Sequence, residues 1–292
     1  MASLRALLVG ALLPFALLLT ACGAPADEAP GAAPSPALWE VEGPEGQAGW
    51  LFGTAHALPR GARWRTAAID GALGQARLLV VEIAELGDAA LAARELRARA
   101  TTPGQPPLSQ RVPAKHRADL AALMRRAGLD DGDIGDRESW AAALLLANAL
   151  RSGDSAAGAD IALLQEDLPA VGLESFAEQF DRFDRLPPAD QTDLLLVMAE
   201  ETGEGRDKAL IHAWLAGDMA AIERLMDSGL LAVPNLRRAL LTDRNLAWEP
   251  EIARLIESGR RPFIAVGAAH MVGADSLPAL LEARGYTVRR VR

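Results

Sequence analysis

RLLVVEIAE, residues 77 to 85, runs through leucine and β-branched side chains with hardly a break until it meets an acid, Glu82. Such a run reads as a strand covered on both faces, which calls for helices above and below it. A helix is expected just upstream, over Thr66 to Ala76. Before it, ALWEVEG and GWLFG flank a Gly-Pro-Glu-Gly turn and suggest a hairpin. At the other end of the chain the same grammar returns. RPFIAVGAAH holds a strand, DSLPALLEARG an amphipathic helix and YTVRRV an edge strand with alternating valines and arginines.

Between these ends, from Gly87 to about Gly259, apolar residues recur at three- and four-residue spacing, as in KHRADLAALMRRAG and WAAALLLANALRSG, and helices are expected. One exception is LPAVGLES (168 to 175), a brief run that could form a strand ending at Glu174. The fold class is therefore α/β (α+β), with a central mixed β-sheet built from the N- and C-terminal segments around a large, mostly helical middle region.

The first 22 residues bear on location. One charge, Arg5, precedes an apolar stretch from Ala6 to Leu19 that is too short to span a bilayer. Leu19-Thr20-Ala21-Cys22 is similar to a bacterial lipobox, so residues 1 to 21 are expected to be a signal peptide and Cys22 the lipidated N-terminus. Cys22 is the only cysteine, which excludes an internal disulfide. Residues 22 to 37, rich in Ala, Pro and Gly, read as a disordered tether ahead of a domain over 38 to 292. Gly23 after the cysteine resembles the pattern of lipoproteins sent to the outer membrane, so the expected location is the periplasm, held by an acyl anchor in the lipid membrane. Without residues 1 to 21 the chain has 29 basic and 39 acidic side chains, a net −10, and a nucleic-acid partner is not expected.

The chemistry has few carriers. No phosphate-binding glycine loop, GxSxG, HExxH or CxxC is present. Of four histidines, two follow a glycine by three residues: Gly53 to His56 in GTAH, and Gly267 to His270 in GAAH. Both glycines close apolar runs, at the strand ends where open α/β sheets form binding crevices. Glycine there allows a sharp turn and a close approach, and imidazole can bind a metal or exchange a proton near neutrality. Either histidine alone could simply bond loop backbone; the matched pair favours function. His116 and His212 lack such a setting and are read as structural. Glu82 lies within the apolar run and Glu174 closes AVGLE; a buried acid there needs a partner or a metal. Arg244-Asn245 could be one polar face of a helix, or a clamp for a carboxylate or oxyanion.

Over essentially the whole processed domain these residues resemble the TraB/GumN family, which has the Tiki metalloproteases among its relatives and, more distantly, the ChaN and erythromycin-esterase folds. The resemblance rests on Gly53 and His56, Glu82, Trp140, Gly158-Ala159-Asp160, Gly172-Leu173-Glu174-Ser175, Gln179, Gln191, Arg244-Asn245, and Gly267 with His270. GLES stands where many members have GLET, and GAAH has alanine where glycine is common. The resemblance implies a metal-dependent site between the histidine loops, used for hydrolysis. In that expectation His56 and His270 hold a divalent ion (Zn, Mn or Co), with Glu82 or Glu174 as the further ligand and the other as general base. Arg244 would stabilise the oxyanion and Asn245 orient substrate or a ligand, and the substrate would be a peptide or another envelope molecule. The alternative is a non-catalytic envelope lipoprotein that sequesters a peptide signal or a haem or iron ligand in the same crevice. A third reading is a helical scaffold with incidental histidines.

Overall fold

The computed structural model describes residues 33–150, 154–201 and 204–291. The segment expected to be a signal peptide, Cys22 and most of the expected tether lie outside them. Of the tether, residues 33–37 already lie along the domain: Ser35 N donates to Leu215 O at 2.7 Å, and Ala37 is buried. Among the described residues no helix is long and apolar enough to cross a membrane.

Six strands form one sheet in the order β4-β3-β5-β2-β1-β6. They are β1 (Leu38–Glu42), β2 (Ala48–Thr54), β3 (Leu78–Val81), β4 (Ala170–Gly172), β5 (Pro262–Gly267) and β6 (Thr287–Val291). β1 and β2 form the expected hairpin, and β6 extends it antiparallel. β2, β5, β3 and β4 are mutually parallel, so their C-terminal ends share one end of the sheet.

The alternation within each parallel strand explains the layers. Trp50, Phe52, Leu79, Val81, Phe263 and Ala265 point to one face, under the helices Ala67–Gln75 and Glu204–Ala216. Leu51, Leu78, Val80, Ile264 and Val266 point to the other, under the helices Asp243–Glu257 and Leu277–Ala283. Period two with both faces buried gives the unbroken apolar runs seen in the sequence. Most remaining helices, among them Ala89–Arg99, Ser139–Leu150 and Phe176–Asp184, share a separate apolar cluster that meets the sheet end at Ile83.

The expected strand over 77 to 85 is shorter than its apolar run. β3 ends at Val81, because the next backbone groups turn to the loop after β4: Leu173 N donates to Val81 O and Glu174 N to Glu82 O, both at 2.9 Å. Glu82 is therefore a strand-end residue rather than an acid inside the strand.

Candidate functional site

Four neighbouring parallel strands each deliver one polar residue just past their C-terminal end. Across the sheet the order is Glu174 after β4, Glu82 after β3, His270 after β5 and His56 after β2. This is the end at which open α/β sheets bind ligands. Arg244 joins from the first turn of the helix Asp243–Glu257, and all five groups are buried or nearly so.

The glycines of the two GxxH loops make room for each other. A Cβ on Gly53 would lie 3.0 Å from Ala268 Cα, in the second loop. A Cβ on Gly267 would lie 2.8 Å from His56 Nε2 and 3.2 Å from Glu82 Oε1. The loops are one residue out of register, since Thr54 rather than Gly53 faces Gly267. That offset puts the His56 ring over Gly267, and Trp214 holds the first loop from behind by donating Nε1–H to Gly53 O at 2.7 Å.

Each imidazole is held from its Nδ1 side. His56 Nδ1 donates to Asp160 Oδ2 at 2.7 Å, and the other oxygen of Asp160 accepts from Thr54 Oγ1 at 2.5 Å. His270 Nδ1 donates to Asn245 Oδ1 at 2.5 Å, and Asn245 Nδ2 donates in turn to Asp275 O at 2.8 Å. Both Nε2 atoms then face the site: that of His56 over Gly267, that of His270 at 3.8 Å from Glu82 Oε1.

Arg244 is fully occupied. Its Nη2 bonds Glu82 Oε2 and, at 2.8 Å, Glu174 Oε1; its Nε reaches Glu174 Oε2 at 3.4 Å. Nη1 donates to Leu240 O at 3.1 Å and faces His270 Nε2 at 3.3 Å, while the guanidinium lies over the Trp248 ring. Glu174 is tied further by Gln179 Nε2 at 3.2 Å and Arg182 Nε at 3.3 Å. A buried guanidinium between two buried carboxylates offsets charges that would be costly as isolated ions.

The electrostatics separate the groups. Burial would raise the Glu82 carboxyl, but Arg244, both imidazoles and the Gly267 N–H, which donates to it at 2.7 Å, hold it down at about 2. Burial, and then the Arg244 charge, push the His270 imidazole down to about 3, so it is neutral. For His56 burial is again the largest influence and lowers its proton affinity. The attraction and hydrogen bond of Asp160, with help from Glu82, outweigh it and hold the ring above its ordinary value.

The donor types suit a divalent ion. Two imidazoles with Nδ1 tied to an outer acceptor and Nε2 directed inward match the way metal-binding histidines are prepared. Glu82 gives one oxygen to Arg244 and turns the other toward Gly267, where the missing Cβ leaves a cradle. Glu174, bound by Arg244, Gln179 and Arg182, has no such freedom, so of the two expected carboxylates Glu82 is the one placed to be a ligand. Among the described residues no group of three or more His, Cys, Asp or Glu stands arranged to hold a metal ion.

Sequence reasoning brought His56, His270, Glu82, Glu174, Arg244 and Asn245 to one place but gave Asp160 no role. Its only sequence signal is Gly158-Ala159-Asp160 at the start of a short helix, Ala159–Leu163. Trp140 and Gln191 lie in the helical cluster, where Gln191 Oε1 accepts from Trp140 N and Trp140 Nε1 donates to Asp184. His116 and His212 sit on helical segments outside the site.

Fold and site together define an α/β protein whose parallel strands gather two imidazoles, two carboxylates and a guanidinium at one sheet end. The chain belongs to the TraB/PrgY/gumN family, whose model matches residues 37–290. No match was found among curated proteins or among solved structures.

Proposed function

We propose that this protein is a metal-dependent hydrolase of peptide or amide bonds, tethered through Cys22 to an envelope membrane and facing the periplasm. The observation that carries the catalytic part is that His56 Nε2 and Glu82 Oε1 lie against the Gly267 cradle, with His270 Nε2 3.8 Å from the same Glu82 oxygen, all three from adjacent parallel strands. His56 Nε2, His270 Nε2 and Glu82 Oε1 would hold the ion, with Zn, Mn and Co all compatible with nitrogen and oxygen donors. A bound divalent ion supplies a Lewis acid and a water of lowered pKa. Asp160 and Asn245 hold the two rings, and Glu174 holds Arg244. Four Arg244 donors are fixed on carboxylates and the Leu240 carbonyl; the fifth lies on His270 Nε2 at 3.3 Å and would be released toward a substrate oxygen only when that nitrogen holds the ion. In this reading neither carboxylate is the general base: Glu174 is fully bonded, and the depressed pKa of Glu82 makes it a weak proton acceptor.

A second reading is favoured by the His56–Asp160 pair. A buried imidazole on a carboxylate, with raised proton affinity, is also a general base for hydrolysis without a metal.

Metal analysis of the purified protein, followed by a peptide-library cleavage screen with and without chelator, separates these readings. Stoichiometric metal lost in the His56→Ala, His270→Ala double variant, with cleavage abolished by chelation, supports the first. Cleavage that survives chelation supports the second. Peptide or haemin binding without turnover would point to the sequestering alternative.

A further inference from the structure

Asp160 stands 104 residues from His56 in the chain, and the segment that carries it is fastened to the His56 loop at several points. Leu58 and Asp154 form an antiparallel bridge, and Ala159 N donates to Ala55 O at 2.8 Å. Gly158 passes so close that a Cβ there would lie 2.3 Å from the His56 carbonyl oxygen, so no larger residue fits without moving one of the two segments. Both oxygens of Asp160 are committed, one to His56 Nδ1 and one to the Thr54 hydroxyl at the end of β2, and the residue is 5% exposed. His270, in the matching loop, is held by a neutral amide instead.

We infer that Asp160 is the positioning residue of His56: anchored by Thr54, it fixes the imidazole as the Nδ1–H tautomer and turns a bare Nε2 toward Gly267 and Glu82. The inference deepens the proposed two-loop centre and rests on it for its effect on turnover. The tautomer itself is independent of any reaction. A histidine's tautomer is set by the hydrogen bond its other nitrogen makes, and outer-sphere partners of this kind typically change metal affinity about 10–100-fold when removed.

The test uses the full chain, labelled with 15N-histidine and stripped of metal, at a pH well above the imidazole range. Long-range 1H–15N spectra report the His56 tautomer, with His56→Gln identifying its signals. The expected result is Nδ1–H in the native protein and in Asp160→Asn, whose amide can donate to Thr54 and leave its oxygen for His56. Asp160→Ala should release the ring to Nε2–H and weaken zinc binding, read by competition titration, by about 10–100-fold, with Asp160→Asn recovering most of it. An Nε2–H tautomer in the native protein, which needs no variant to fold, overturns the inference. So does an Asp160→Ala protein that keeps Nδ1–H. If no substrate is ever cleaved, the hydrolase reading fails while the spectra still decide the role of Asp160.

Discussion

Arg244 shows at the scale of one residue how the site is held together. Its guanidinium bonds both Glu82 and Glu174, so removing it leaves Glu82 without its guanidinium partner and Glu174 with only the Arg182 guanidinium. Arg244→Leu is expected to lower stability by about 3–5 kcal/mol, read in urea unfolding, with Glu82→Gln/Arg244→Leu recovering part of the loss. Acid acts on the same cluster. His270 is neutral in the fold because burial and Arg244 hold it at about 3, so between the ordinary imidazole value and that point the unfolded chain binds the extra proton. Stability therefore falls as pH drops below about 6.5, and falls further from about 4.5 toward 2, where Glu82 must be protonated. His56 has the opposite sign, since its raised value favours the fold at low pH and that contribution fades as pH rises through it. In metal-free protein, His270→Asn should flatten the upper part of the acid decline, and an unchanged profile would refute the neutral His270.

At the scale of elements, the two GxxH turns are complementary pieces rather than copies. Each glycine clears space for the other loop, and the one-residue offset between β2 and β5 sets which group occupies it. Gly267→Ala should drive the His56 ring out of the cradle and abolish metal uptake. Gly53→Ala should act mainly on stability, by about 1–3 kcal/mol, because its neighbours are Ala268 and Met271. The pairing of these glycines was legible from spacing, and so was Glu174 at a strand end, because burial on both faces writes itself into an unbroken apolar run; that same run hid the end of β3 just before Glu82. The offset was not legible, because register depends on which strands are neighbours. Asp160 and the saturation of Arg244 escaped for a related reason: both depend on partners far away in sequence, and Arg244 read in isolation resembled a donor waiting for substrate. The five-residue π-helical turn Arg238–Thr242 just ahead of it, which includes the Leu240 carbonyl that Arg244 caps, also left no mark in the helical periodicity.

The whole molecule joins a sheet covered on both faces to a helical region with its own apolar cluster, the two meeting near Ile83. Tethering belongs to this scale. Cys22→Ala is expected to move the protein from the membrane fraction to the soluble one with metal content unchanged, which fractionation and metal analysis would read together. The strand order has a consequence in time. β5 lies between β3 and β2 and supplies both Gly267 and His270, yet it follows β3 by about 180 residues. Until β5 slides into its gap, His56 has no cradle and Glu82 no backbone N–H to hold it. A chain still emerging from a ribosome therefore carries two halves of the cluster and no cluster, and the order of its strands delays assembly of the site until the C-terminal segment is made.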